Sequence, residues 1–484
     1  MLLGTQGQTE RPRVILCELP TFPSGVLALS LPTVAAQLRD HADVQMVDLN
    51  VVDRSRLQER LLARPAPRLC GFRVTAQNFG EAAELTALAR RLSPSTAIIW
   101  GGELPSLLPH LCLQHADSIM EGRFEPHAAA VLHDLEQGSL NRRYERTAWS
   151  PSSETVPPAL DMVEHRERYL GFPGTPLESS LGCDQNCTFC LVHTMQHRIA
   201  PYPPEALARD LSQNPREFIN VVDYNPATSR EHLLKLAKEI ERSPAIGWSC
   251  EMRLEVFEDD EVLDALGRSR CRVVYCGLES LSSDAMHSVA KKHQGPTQRL
   301  RLIRRAQSRG IQIGSGFILG MQGETDASRR AFVDFAEEAG LVYVKFTFLT
   351  YNPGTRVHES LRKRGDFTTE ELSRFDGHHL TYLPQGTDPV DVYRGARAMI
   401  ERLYSPRSVR LRSRHQAREP LERAEFALLS YCYGRPYQEW LRANPAKGAP
   451  QPLHKGGARF DWKLKSADRA LVALRRLNAT RRAR

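Results

Sequence analysis

Short apolar runs alternate with amphipathic stretches along most of this chain. From Arg11 to about Arg146 the runs Val14–Leu19, Val44–Leu49, Leu69–Thr75 and Ala97–Trp100, with a weaker one at Ser118–Met120, read as strands. Between them Leu31–Arg39, Leu57–Ala63 and Ala82–Leu92 repeat apolar positions at helical spacing. Such alternation predicts a parallel, doubly wound sheet that binds ligands at the carboxyl ends of its strands. Trp149 to Pro176 holds Pro151, Pro157, Pro158, Pro173 and Pro176 and reads as a linker running over the surface. From Leu177 to about Tyr382 the alternation resumes. Strands are expected at Glu178–Gly182, Phe218–Tyr224, Trp248–Met252, Val273–Leu278, Ile311–Leu319 and Tyr343–Leu349. Helices are expected at Glu205–Ser212, Glu231–Glu241, Asp259–Leu266, Arg299–Arg309 and Ser328–Ala339. Beyond Leu383 the chain reads as helices, Val392–Leu403, Leu421–Tyr433 and Lys463–Leu477, with a Gly/Pro/Lys loop from Asn444 to Gly457. The expected organisation is α/β: a Rossmann-like domain over 1–148, a linker over 149–176, a second strand-helix domain over 177–385, and a mainly helical, basic domain over 386–484.

Composition excludes little. Hydrophobic content of 41% and charged content of 25% suit a water-soluble, core-forming protein. No apolar run approaches the roughly 18 residues of a membrane span, and Met1–Arg13 lacks the apolar core of a secretory signal, so a cytoplasmic location is expected. The net charge of +8 is unevenly placed. Residues 406–484 carry 19 Lys and Arg against 6 Asp and Glu, whereas the preceding 405 residues carry 46 against 51. That basic end could attract an acidic peptide or nucleic acid, or be the solvated face of a helical cap. Tyr431, Cys432, Tyr433 and Trp440 within it read as core.

Ten cysteines are present, and three form the run Cys183-Asp184-Gln185-Asn186-Cys187-Thr188-Phe189-Cys190. Three thiolates can hold three irons of a 4Fe-4S cube and leave the fourth iron open. An open iron can bind a small molecule through a nitrogen and an oxygen, as reductive cleavage of S-adenosylmethionine (SAM) requires. A zinc knuckle is the competing reading, but zinc wants four closed ligands, and only His193 and His197 stand near. The C-x3-C-x2-C spacing with Phe189 before the third cysteine resembles the radical SAM superfamily. That resemblance implies a partial (β/α)6 barrel of the TIM type with SAM across the carboxyl ends of its strands. It assigns Cys183, Cys187 and Cys190 to the cluster and Phe189 to the adenine. Gly277-Leu278-Glu279-Ser280, Gly316-Phe317-Ile318-Leu319-Gly320 and Tyr351-Asn352-Pro353-Gly354-Thr355 follow in the order the superfamily would need. They imply SAM contacts from Glu279, Ser280, Gly316, Ile318 and Gly320. Asp223 stands where a Gly-Gly-Glu is usual, and Arg253 is placed to pair with the SAM carboxylate.

The N-terminal half, with Gly101-Gly102-Glu103-Leu104-Pro105 and then Glu121-Gly122, resembles the cobalamin-binding domain fused to one class of these enzymes. The implied contacts are Leu19, Pro20, Arg73, Val74, Thr75, Gly101, Gly102, Glu103, Leu104, Glu121 and Gly122. The Asp-x-His-x-x-Gly motif that supplies a lower histidine in many such domains is absent, since Asp40 and His41 are adjacent. Cobalamin is therefore expected base-off, with Arg73 beneath the cobalt. The resemblance implies a methyltransferase that moves a methyl group from SAM by way of methylcobalamin to an unactivated carbon of a small metabolite. The indole ring of tryptophan is the candidate suggested by the missing histidine and Arg73. It also implies an external electron donor such as flavodoxin or ferredoxin, and neither nucleic acid nor membrane as partner. No base is assigned; Arg73 and Tyr351 are catalytic candidates, and Tyr224 and Tyr275 are further ones by their places at strand ends. Two alternatives remain: a methylthiotransferase acting on tRNA or protein, with Cys17, Cys70 and Cys112 holding a second cluster, and a non-methylating oxidase or cyclase.

Overall fold

The computed structural model describes residues 11–20, 26–171, 174–196, 198–291, 294–416, 419–443 and 462–482. Pro173, His197 and the loop Asn444–Gly457 lie outside the described residues. The described residues fall into two units, one holding 11–20, 28–149 and 156–166, the other 26–27, 150–155 and 167 onward.

In the first unit six strands form one parallel sheet: β1 (Arg13–Glu18), β2 (Asp43–Asp48), β3 (Leu69–Arg73), β4 (Ala97–Gly101), β5 (Ser118–Met120) and β6 (Arg143–Tyr144), in the order β2-β1-β3-β4-β5-β6. β1 is buried along its whole length. Its Val14 and Leu16 join one core while Ile15 and Cys17 join the other, as a sheet covered on both faces requires. The strand order reverses direction at β1 and β3, so the ligand crevice of such a sheet lies where Glu18 and Arg73 end their strands. β6 and the helix Ala128–Gln137 before it complete the sheet beyond the elements read from sequence.

The middle of the expected linker is not free-running. Ala159 and Leu160 are buried, Ala159 N–H donates to the Pro32 carbonyl at 2.9 Å, and Asp161 accepts two bonds from Arg39 at 3.0 and 2.8 Å.

The second unit contains another parallel sheet, of β7 (Thr175–Leu177), β10 (Phe218–Val221), β11 (Gly247–Glu251), β12 (Cys271–Glu279), β13 (Gln312–Leu319) and β14 (Val344–Phe348), in sequence order. Helices Pro204–Gln213, Arg230–Arg242, Asp260–Arg268, Pro296–Ser308 and Asp326–Ala339 alternate with its strands. The first strand is not Glu178–Gly182 as expected. It is the three-residue β7, which accommodates Pro176 because it is an edge strand. Ser180–Leu181 instead forms β8, paired antiparallel with β9 (Ala200–Pro201). At the other edge, the backbone of β14 bonds to tyrosine hydroxyls. Tyr404 Oη donates to Val344 O at 2.6 Å, and Tyr437 Oη accepts from Phe346 N at 2.8 Å. Both come from the C-terminal helical region, whose helices are Pro389–Leu403, Pro406–Gln416, Pro420–Ala443 and Trp462–Arg482. Among the described residues no helix is long and apolar enough to cross a membrane.

Candidate functional site

The cysteine loop leaves β8 and is tied down from several strand ends. Asn225, after β10, donates to Asp184 Oδ1 at 3.1 Å, and Arg253, after β11, pairs with Asp184 Oδ2 at 3.2 Å. Tyr351, after β14, bonds Thr188, and His193 Nε2–H donates to the Gln185 carbonyl. The three thiols are half-buried. Burial raises two of these thiols, Cys187 to about 11 and Cys190 in the same direction, so taking up metal there would release protons. Among the described residues no three His, Cys, Asp or Glu side chains converge closely enough for a single ion. Three thiols on one loop can each take one iron of a polynuclear cluster.

The loop rims a cavity of about 250 Å3. Cys183, Cys187, Phe189 and Cys190 form one side, and Arg253, Glu279, Lys291 and Arg299 are in the rest of its wall. Lys291 Nζ donates to Glu279 Oε1 and to the Gly277 carbonyl, each at 2.7 Å. Arg299 is buried and donates to the Ser280 carbonyl at 2.6 Å and that of Leu278 at 3.3 Å, fixing the turn that carries Glu279. Burial pulls its guanidinium down to about 10. Lys291 and Arg299 were missed by sequence reasoning. Lys291 is one of two adjacent lysines in a connection, and nothing local distinguishes it.

Of the expected SAM contacts, Phe189, Arg253 and Glu279 line this cavity, whereas Asp223, Ser280, Gly316, Ile318 and Gly320 do not. Asp223 is buried and its oxygens are taken: Ser179 N and Ser179 Oγ donate at 2.6 and 2.5 Å, and Ser180 Oγ at 2.7 Å. It therefore shapes the approach to the cysteine loop. Gly316 makes room for the protein itself, because a Cβ there would strike Tyr275 Oη and sit 3.1 Å from Glu279 Oε2. Ser280 is fully buried, its hydroxyl accepting from Ser282 N at 3.1 Å. Ile318 packs with Met321, Tyr351 and Phe189, so it backs the loop from behind. Gly320 N–H donates to Glu324 at 2.8 Å. Tyr224 and Tyr275 line the cavity; Tyr351 does not, and holds the loop through Thr188.

At the crevice of the first unit Arg73 Nη1 donates to Glu18 Oε1 at 2.7 Å, with Glu103 at 3.8 Å. Glu18 is buried and also accepts from Ser30 Oγ at 3.0 Å. Burial raises its pKa, and Arg73 only partly offsets this. Leu19, Val74 and Leu104 belong to the core, and the Val74 backbone is taken by Gly101 and Leu104, so their side chains are not ligand contacts. Pro20 is half-buried. Gly102 has φ +104, and a Cβ there would stand 2.9 Å from Val74 O. The Glu121 carboxylate is held by Arg143, and Gly122 N–H donates to Ser106 at 2.9 Å. Thr75 Oγ1 is buried without a hydrogen-bond partner, an orphaned group at the strand end where a ligand would lie. No histidine ends β1, β3 or β4. These residues fit a base-off corrinoid. Cys17, Cys70 and Cys112 are fully buried among apolar side chains, and burial raises Cys70 and Cys112 to about 12. They are core residues and do not form a second cluster site.

Comparison with known proteins agrees with this division. The B12 binding domain family matches residues 21–132, and the radical SAM superfamily matches residues 177–336. The chain is 22% identical over 298 residues to a bacteriochlorophyllide d C-12(1)-methyltransferase of Chlorobaculum tepidum, covering 60% of this chain and 64% of that one. It thus spans just under two thirds of that relative's length. It is 23% identical over 359 residues to an uncharacterized methyltransferase of Pyrococcus horikoshii, covering 68% and 77%. The radical SAM methyltransferase TsrM of Kitasatospora setae, solved with cobalamin and a [4Fe-4S] cluster, shares the fold at a TM-score of 0.66 and 17% identity over 97% of this chain and 100% of that one.

Proposed function

We propose that this chain, which belongs to the radical SAM superfamily and carries a B12-binding domain ahead of the radical SAM domain, is a methyltransferase that moves the methyl group of SAM to an unactivated carbon of a small aromatic metabolite. Tryptophan is the first candidate, because TsrM has also been solved with tryptophan and a SAM analogue bound. The observation that carries the reading is that three half-buried thiols of one loop rim the cavity whose wall also holds Arg253, Glu279 and Lys291. When bound, the cluster and the corrinoid supply an electron relay and a methyl carrier that no side chain provides.

In this reading Cys183, Cys187 and Cys190 hold the cluster, and Phe189 lies against the adenine. Glu279, paired with Lys291, accepts from the ribose or the ammonium of SAM, and Arg253 pairs with its carboxylate. In the first unit Thr75 Oγ1 would bond the corrinoid. Arg73, clamped by Glu18, would offer a bound corrinoid a positive charge and no metal ligand. An external one-electron donor and a cytoplasmic setting complete the proposal. The methylthiotransferase reading loses its second cluster to the burial of Cys17, Cys70 and Cys112.

The test is anaerobic reconstitution with iron, sulfide and hydroxocobalamin, gel filtration, then turnover of tryptophan with methyl-deuterated SAM. About one base-off corrinoid per chain and deuterated methyl on a ring carbon are expected. Loss of corrinoid on the column, or a product carrying no label, would overturn the proposal.

A further inference from the structure

A second cavity, of about 300 Å3, adjoins the cluster cavity in the same unit, and Tyr224, Glu251 and Tyr275 line both. Its walls come from β10, β11, β12 and β14 and from the helices Pro420–Ala443 and Trp462–Arg482, which contribute Tyr433 and Arg475. Two cations stand in it. Lys345 Nζ lies 4.5 Å from the ring centre of Tyr275 and 5.7 Å from that of Tyr433. The Arg475 guanidinium lies 3.9 Å from the ring of Phe218; its side chain is 4% exposed, and its Nε and Nη1 have no hydrogen-bond partner.

Each cation has a carboxylate at 3.6 Å, Glu251 for Lys345 and Glu425 for Arg475, too far for a hydrogen bond. The other oxygen of Glu425 is bonded by Asn478 at 2.6 Å. The buried Nε and Nη1 of Arg475, left dry in this way, are unfavourable, and an acceptor carried by a ligand would relieve them. The remaining wall is aromatic. Tyr343 stacks on Tyr433 with ring centres 3.7 Å apart and lies 6.3 Å from Tyr275. Flat π-faces beside fixed cations favour a flat, anionic guest.

We infer that this cavity is the substrate site and takes a planar aromatic carrying a carboxylate. The carboxylate meets the free donors of Arg475, with Lys345 as a second positive charge. The ring lies along the tyrosine wall, its far edge toward the boundary that Tyr224, Glu251 and Tyr275 share with the cluster cavity. The assignment of the guest as substrate rests on the methyltransferase reading; the binding itself does not.

The experiment is calorimetric titration of the reconstituted full chain with indole-3-propionate, tryptophan and tryptamine, without turnover. Indole-3-propionate and tryptophan are expected to bind at one per chain, and tryptamine, which lacks the carboxylate, at least about tenfold more weakly. Arg475→Gln and Lys345→Gln should each weaken indole-3-propionate about tenfold. Substituting buried Arg475 can disturb the fold, so iron content and circular dichroism are checked, and Lys345→Gln, whose side chain is 38% exposed, decides by itself. Unchanged affinity in Lys345→Gln, equal binding of tryptamine, or no binding of any of the three overturns the inference. Failure of label transfer with these affinities intact would instead sink the methyltransferase reading and leave the cavity assigned.

Discussion

Lys291→Met removes the countercharge of Glu279 while keeping most of the apolar stem. The two side chains are 20% and 11% exposed, and Nζ sits 2.7 Å from the carboxylate. Burial pulls the ammonium's pKa down, but the charge and hydrogen bond of Glu279 outweigh it and the net direction is up. Breaking a buried pair from one side costs about 3–5 kcal/mol, because the other charge stays dry. Residual water contact reduces this, so about 2–4 kcal/mol is expected. Glu279 cannot easily swing away: its φ of +57 lies in the left-handed region, and Arg299 holds the carbonyls of its neighbours. The stranded carboxylate is expected to take a proton, and SAM affinity should fall about 30-fold, equivalent to about 2 kcal/mol. Thermal unfolding and SAM titration on the parent, Lys291→Met, Glu279→Gln and the double variant measure both effects. The double variant should recover part of the loss, with a coupling of about 1–3 kcal/mol. If the two single effects add to within about 0.5 kcal/mol, the pair is not coupled and the reasoning fails.

Replacing Cys183, Cys187 or Cys190 by Ala should each take iron from about four per chain to below one, whereas replacing Cys17, Cys70 and Cys112 together should leave about four; iron and absorbance assays read this directly. Arg73→Met leaves Glu18 buried and unpaired, so the N-terminal unit should lose about 3 kcal/mol and be cut faster in limited proteolysis than the parent. Gly316→Ala forces Tyr275 or Glu279 aside and should cost about 1–3 kcal/mol in thermal unfolding with weaker SAM binding; an unchanged protein would contradict the packing. Burial pushes Asp223 from 3.8 up to about 6 and pulls His232 from 6.5 down to about 4, the two meeting at Ser179 Oγ. Asp223 thus gives stability below its unfolded pKa that is lost as pH rises through about 6, while His232 gives stability above 6.5 that is lost as pH falls through about 4. Each amounts to about 3 kcal/mol and they oppose, so Asp223→Asn should make stability climb with pH across that window in urea unfolding, and a curve parallel to the parent's would refute the assignment.

What could be read from the chain alone was whatever is encoded locally. The apolar runs of β1, β3, β4 and β13 announce themselves because strands covered on both faces need nearly every position apolar. The cysteine loop is legible because its chemistry depends on spacing within eight residues. β7 was not legible: three residues with a central proline carry no period, and only pairing with β10 makes them a strand. Asp223 and Gly316 show the same limit at the site. A carboxylate at a strand end is open to a ligand or to its neighbours, and only the serines that fold back onto Asp223 decide which. A glycine can admit a cofactor or a tyrosine hydroxyl, and here it admits Tyr275.

The basic C-terminal region makes the point with most consequence for function. Counted along the chain, its excess of Lys and Arg suggests a charged face for an acidic partner. Yet Arg412 is fully buried, donating to the carbonyls of Leu341, Val342 and Leu403, and Arg475 is turned toward the aromatic cavity. A guanidinium can close a helix-to-strand junction because its several donors satisfy several carbonyls at once. Part of the positive charge is therefore internal structure and part is cavity wall. If the inward arginines do this work, replacing surface arginines such as Arg394, whose side chain is 67% exposed, should leave indole-3-propionate affinity within about twofold, while Arg475 and Lys345 variants do not.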